Sequence, residues 1–366
     1  MGNGKIAIRQ FIVLVTMFCV GSSILLVPAA LAIDAKQDAW MSAIVGTLVG
    51  LLLIVLFGKL ASRFPDMTLV QMSEWLLGKW LGKLVGLLYF VFAFLLSVFM
   101  LRYIGDFMTS QMMTETPIEA IHILFMTIVV MGVLLGLETY TRTAEIMFPW
   151  ITVFFVTLAI LVAPQFQSPF IQPVLAHGIK PVLRGSFPLI GIPFLELVLL
   201  LMLTPFVAGP ERRLKGFLIG GCIGGLLVFG VTIVSILVLG PDMTVRDIYP
   251  SYVLTKKINI GNFLQRIEAI LAVVWFFTIY FKLTITFYVS ALILAQVLGL
   301  PRIRPLVMPL ALHTLVLALV VYPNIMYGIQ FAGKMWTPFA MTFGLALPLL
   351  LLAVSFIRRR KGAAPP

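Results

Sequence analysis

The sequence predicts an all-α integral membrane protein, a single domain over residues 1–366 with ten transmembrane helices. Three observations carry this prediction. Of the 366 residues, 61% are hydrophobic and only 11% are charged. The mean hydropathy is +1.10. The apolar residues gather in ten runs close to the ~20 residues that a helix needs to cross a hydrocarbon core about 30 Å thick. Soluble domains do not have this composition. Ten crossings use nearly the whole chain, which excludes a separate soluble enzyme domain.

The first run, Gln10 to Ile33, follows Lys5 and Arg9 and contains Ala30-Leu31-Ala32, which imitates a signal-peptide cleavage site. It exceeds the about 7 to 15 apolar residues of a signal sequence, so it is an uncleaved first crossing. The others are Trp40 to Phe57, Val85 to Ile104, Ile118 to Leu137, Ile146 to Val162, Phe187 to Ala208, Phe217 to Leu239, Ala269 to Val297, Val307 to Val321 and Trp336 to Ile357. Between the second and third, Leu69 to Leu84 sets Leu69, Met72, Leu76, Leu77, Trp80 and Leu81 near helical spacing. That segment predicts a short interfacial helix. The two longest outer segments, Ala163 to Ser186 and Gly240 to Asn262, are the natural places for contact with another extracytoplasmic protein.

The net charge of +12 is first of all a topology signal. With the N-terminus inside, 16 of the 26 Lys and Arg fall in cytoplasmic segments and seven in outer ones; Arg102, Arg266 and Lys282 lie in or at the edge of helices. Both termini are therefore expected in the cytoplasm, with Arg358 to Lys361 anchoring the last helix on an anionic leaflet. No nucleic-acid partner is needed to account for the basicity. Cys19 and Cys222 lie in apolar runs, and His122, His177 and His313 are scattered without ligand spacing. Neither a disulfide, a metal nor a cofactor is predicted. No nucleophile–base constellation points to an enzyme.

Two crossings carry helix-breaking residues near mid-membrane: Gly21-Ser22-Ser23 with Pro28 in the first, and Gly191-Ile192-Pro193 in the sixth. Gly and Ser weaken a helix and Pro removes a donor. Matching interruptions in two five-helix halves point to a transporter-type midplane site; ordinary kinks are the plain alternative. On the first reading, amides after Gly21 would receive a carboxylate, and carbonyls freed at Gly191 and Pro193 an ammonium, as suits a small amino acid. Ser22 and Ser23 either contribute hydroxyls to that ligand or bond back to their own backbone.

Four ionisable residues stand in apolar surroundings, where an uncompensated charge is costly. Glu196, one turn beyond the sixth-helix break, either exchanges protons and supports a polar network or makes a structural hydrogen bond to broken-helix backbone. Arg266 and Glu268, two apart, point about 200° apart on a helix, so each needs a partner elsewhere; an outer structural network is the expectation and substrate contact the alternative. Lys282 lies about 21 Å further in than Glu268 at 1.5 Å per residue. It either snorkels toward headgroups or stands in for a sodium ion between the eighth and first helices.

These segments resemble the B subunit of bacterial spore germinant receptors, the GerAB/GerKB-type spore germination proteins of the amino acid/polyamine/organocation transporter superfamily. The resemblance runs along essentially the whole chain. It rests on Gly21-Ser22-Ser23 with Pro28, Gly78-Lys79-Trp80-Leu81-Gly82, Thr116-Pro117-Ile118, Pro173-Val174-Leu175 with Gly178 and Pro181, Phe194-Leu195-Glu196, and Arg266-Ile267-Glu268 with Val273-Val274-Trp275. It implies a LeuT-like fold of two inverted five-helix repeats, about 8–162 and 187–357. It further implies nutrient sensing, usually of amino acids, in the inner membrane of a dormant spore, with an A subunit and a lipoprotein C subunit as partners. The implied pocket is Gly21, Ser22, Ser23, Phe92, Leu96, Gly191, Pro193, Phe194 and Phe281, with Lys282 beside it. The lysine departs from relatives that more often have a small hydroxyl residue there, which leaves the ion requirement open. A permease or proton-coupled symporter for amino acids, working by alternating access, shares this fold and site and is the competing expectation.

Overall fold

The computed structural model describes residues 5–257 and 268–360. The first crossing is two short helices, α1 (Ile8–Val20) and α2 (Ser23–Ala35), joined at Gly21 and Ser22. Lys36, with a left-handed backbone (φ 48°), starts the turn into α3 (Ala39–Arg63). A capping box, in which Thr68 and Gln71 satisfy each other's amides, opens α4 (Leu69–Leu77). The next crossings are α5 (Lys79–Phe107), α6 (Ile118–Leu135) and α7 (Leu137–Val162).

After α8 (Ile179–Gly185), the sixth crossing begins as α9 (Phe187–Leu189), widens into a π-helical stretch (Ile190–Leu195), then tightens into a 3₁₀ stretch (Glu196–Met202). α10 (Arg213–Arg246) is kinked at Gly240 (φ 77°) ahead of Pro241. It is followed by α11 (Pro250–Lys256), α12 (Glu268–Leu298), α13 (Arg304–Val320) and α14 (Ile325–Lys334), the last bent 102° from its predecessor. α15 (Trp336–Met341) runs through a π-helical turn into α16 (Leu347–Arg360). Among the described residues there is no strand, only an isolated bridge joining Ile6 to Val207.

Among the described residues, eight helical stretches are long and apolar enough to span a bilayer, and α13 with α14 forms a ninth as a bent pair. One of the eight, Ser23–Arg63, turns back at Lys36 and so belongs to two crossings, which restores the ten expected. Three features differ from the sequence expectation by more than the trimming or lengthening of a helix end. The interfacial helix stops at Leu77, because Gly78 adopts φ 90°, and Lys79 to Leu84 begin the third crossing instead. The fifth crossing starts at Leu137, nine residues before Ile146, directly after the break at Gly136. Between the ninth and tenth crossings, α14 replaces a simple connecting segment.

The sixth crossing forms the centre: every residue from Pro188 to Thr204 is buried. Its Leu197–Val198–Leu199–Leu200–Leu201 run is apolar on all sides and is surrounded by α1, α3, α4 and α12 rather than by lipid. α10 packs on α1 and α3, and α12 on α5. Closeness at the α1–α10 seam depends on small residues: a Cβ on Gly220 would come within 2.6 Å of Val15 Cβ. Thr16 takes advantage of that approach and donates to the carbonyl of Gly220 at 3.2 Å.

Candidate functional site

At the α1–α2 junction, Gly21 lies against α12 so tightly that an added Cβ would stand 2.8 Å from Lys282 Cβ. Only glycine allows this approach, and it brings Lys282 between both irregular crossings. The side chain is fully buried, with 0% exposure. Its Nζ forms an ion pair with Glu196 Oε2 at 2.6 Å, donates to Ser22 Oγ at 2.8 Å, and reaches the carbonyl of Ile192 at 3.4 Å. The Phe18 ring lies 4.9 Å away. Trp336 Nε1 donates to the other carboxylate oxygen of Glu196 at 2.7 Å. An ammonium has three donors, and here three acceptors meet it. The charges cancel, and one lysine ties the first crossing (Ser22) to the sixth (Ile192 and Glu196).

The snorkelling reading of Lys282 is therefore overturned, since the amine points into the protein rather than toward headgroups. The structural reading of Glu196 is also changed, because its main partner is this lysine and the indole of Trp336, not broken-helix backbone. The sixth crossing changes its winding at Pro193 rather than coming apart, and the Ile192 carbonyl in that stretch is met by the protein's own ammonium. The ligand ammonium expected beside Gly191 and Pro193 thus has a resident counterpart.

Next to this pair is a cavity of about 80 Å³. One water needs about 10–15 Å³ by this measure, so the space holds several waters or a small organic molecule. Ser22 and Glu196 form its polar floor, Leu96, Phe99 and Met100 of α5 one wall, and Trp336 another. α14 closes it through Ile325, Gly328, Ile329, Phe331 and Ala332. Tyr103 also lines the space, and its buried hydroxyl has no hydrogen-bond partner among the described residues. A latch holds the α13–α14 corner to α5: Tyr322 donates to Asp106 at 2.6 Å, and Asp106 pairs with Arg102 at 3.0 Å. Arg102 also donates to the carbonyls of Ala318 and Leu319, at 3.2 and 2.8 Å.

Of the expected pocket residues, Ser22, Leu96 and Glu196 line this cavity. Gly21 faces Lys282 and Thr278, and Ser23 is buried with its hydroxyl unpartnered among the described residues. Phe92 stacks between Phe343 (4.5 Å) and Trp336 (5.7 Å), beneath the cavity wall. Gly191 is covered by Thr337, and Pro193 is enclosed in the π-helical stretch. The Phe194 ring covers Gly50 of α3, and Phe281 sits between Tyr140 (5.3 Å) and Tyr280 (5.2 Å). Phe281 misses the cavity because its side of α12 turns toward Tyr140 of α7, and Phe194 because its ring turns to α3 rather than with Glu196 toward the cavity. Glu268 starts α12, half-buried, with no ion pair among the described residues. Arg266 lies outside the described residues, so its expected network with Glu268 does too.

Sequence reasoning missed Tyr103, Tyr322 and Trp336. Tyr103 had a signal, since Leu96, Met100 and Tyr103 repeat at i, i+4, i+7 and so share one face of α5. Trp336 and Tyr322 had none, because they reach the site only through the 102° bend and the return of the chain after it.

The model of the family described as spore germination protein matches residues 5–326. Among curated relatives, spore germination protein KB of Bacillus subtilis (strain 168) is 26% identical over 366 residues, covering 99% of this chain and 97% of that protein. Spore germination protein YndE of the same organism is 26% identical over 363 residues, 98% of each. Among solved structures, Mhp1, a nucleobase-cation-symport-1 family transporter in a closed conformation with bromovinylhydantoin bound, superimposes with a TM-score of 0.72 at 12% identity, over 98% of this chain and 80% of that one. MhsT in complex with L-phenylalanine gives 0.60 at 13%, over 95% and 97%. The fold is thus the LeuT-type transporter fold.

Proposed function

Because the chain belongs to the spore germination protein family, we propose that it is the membrane-embedded sensing subunit of a nutrient germinant receptor. On this reading it works in the spore inner membrane with A and C subunits, both its termini cytoplasmic, and its ligand is a small molecule, an amino acid in the first instance. The observation that carries the proposal is the cavity floored by Ser22 and Glu196, at the point where Lys282 joins the two irregular crossings. A ligand there would touch both halves of the fold at once. Differential affinity for one arrangement of those halves would shift their equilibrium and pass the signal to the partner subunits. The Tyr103 hydroxyl, unpartnered among the described residues, is a hydrogen-bonding group for the ligand, and the apolar walls suit the ligand's side chain. Lys282 takes the place of a coupling cation, so the receptor would need no sodium.

The alternative, an amino-acid permease or proton-coupled symporter, draws support from the likeness to working transporters. One pair of experiments separates the two. Spores carrying this chain as their sole B-type subunit are screened against amino acids, with Ala332→Trp, a cavity-filling change on α14, as the site variant. Sensing requires that a germinant found for the parent fail with the variant; unchanged germination would remove the cavity from consideration. Proteoliposomes then test counterflow of that amino acid, and robust exchange by the protein alone would favour the permease.

A further inference from the structure

A second cleft lies on the opposite part of the molecule from α14, beside the N-terminal residues. Its place is set by Phe206, which lines it and whose carbonyl accepts from Ile6 N at 2.7 Å. The break at Gly136 (φ 90°), where α6 gives way to α7, forms one side, and the end of α12 with the start of α13 forms the other. The cleft measures about 430 Å³. Leu134, Leu137, Tyr288 and Leu292 make its wall apolar, while Arg302 and Arg304 stand exposed on its rim. Neither guanidinium has an ion-pair or hydrogen-bond partner among the described residues. The acid of this rim, Glu138, is held by Arg142 at 2.6 Å, so its charge is already matched.

We propose that this cleft binds an anionic phospholipid, with Arg302 and Arg304 on the headgroup phosphate and an acyl chain along Leu134, Leu137 and Leu292. Planar guanidinium groups match phosphate oxygens in a bidentate manner, and two of them without protein partners at a membrane-water boundary lack only the anion. Basic pockets between helices at the membrane surface are where anionic headgroups settle. The two-part lining selects an amphiphile over a free anion, because a soluble phosphate has no use for an apolar wall. That wall continues onto the exposed Leu135, so a chain can enter from the bilayer side.

Native mass spectrometry of the purified full chain tests this, titrating phosphatidylglycerol and phosphatidylcholine of identical chains. Phosphatidylglycerol should be retained preferentially by the unaltered protein. Arg302→Ala or Arg304→Ala should each weaken it about fivefold, and both together ~30-fold, as expected for two basic residues at a membrane surface. Lysine at both positions should recover only part of the loss, since an ammonium keeps the charge without the bidentate fork, and Leu134→Trp, which fills the wall and keeps both charges, should weaken retention as well. Equal retention of the two lipids by the unaltered protein would overturn the proposal without any variant. So would undiminished phosphatidylglycerol binding by the double alanine variant, or displacement of the lipid by millimolar inorganic phosphate.

Discussion

Replacing Lys282 by methionine removes a cation while keeping most of the stem that packs against Gly21. What remains is a Glu196 carboxylate of 1% exposure with only the Trp336 indole for company, and a Ser22 hydroxyl and an Ile192 carbonyl without their donor. Breaking a buried pair by removing one partner costs about 3–5 kcal/mol, because the surviving charge is left uncompensated. Glu196→Gln should cost a similar amount, since Lys282 then carries the unmatched charge. The double variant has no charge to bury, and its Gln oxygen still accepts from Trp336, so it should lie within about 1–2 kcal/mol of the parent. The singles are thus strongly non-additive, with a coupling of about 4 kcal/mol or more. Equilibrium unfolding of the purified proteins in a single detergent measures all four corners of this cycle. If the double variant loses the sum of the two singles, or Lys282→Met unfolds at the parent's midpoint, the pair does not hold the crossings together.

Three further outcomes are expected. The melting temperature of the parent should be the same in sodium, potassium and choline salts, whereas Lys282→Ser, which vacates the cation position, should gain a stabilisation specific to sodium. A sodium-dependent parent would contradict the stand-in role of the lysine. Tyr322→Phe removes a hydrogen bond to the Asp106 carboxylate, of a kind that contributes about 1.5–3 kcal/mol, so amides of α14 should exchange ~10- to 100-fold faster. Unchanged protection there would mean that the latch does not hold α14. Gly220→Leu should destabilise by more than about 2 kcal/mol and disturb the α1–α10 seam, given the 2.6 Å approach to Val15; a stable, monodisperse variant would show that the seam is looser than this approach requires.

Much of this fold was readable along the chain because its determinants are local. A bilayer demands ~20 apolar residues per helix, and the ten runs answer that demand one by one. The irregular stretches at Gly21–Ser22 and Gly191–Pro193 were equally local, since glycine and proline act on their own backbone wherever they occur. The boundaries failed where a single glycine decides: Gly78 and Gly136 take φ 90°, a conformation that composition does not announce, and each moved a helix start. Rarity also had its use, because a chain with so few charges makes Glu196 and Lys282 stand out as residues that must have partners.

Which partner each found was a matter of tertiary structure alone. Ser22 and Lys282 are 260 positions apart, and their contact exists because Gly21 lets the first crossing nest on α12. Nothing in the hydropathy of the intervening helices encodes that meeting. The cavity wall was likewise out of reach: Trp336 and Tyr322 arrive at it through a bend and a return, and Phe194 and Phe281 leave it through helical phase. Sequence by itself determined that this chain must live in a membrane as ten helices and that a few buried charges must be matched. The arrangement of helices then decided the matching, because a buried ion pair and a cavity depend on distances in space between residues that the chain keeps far apart.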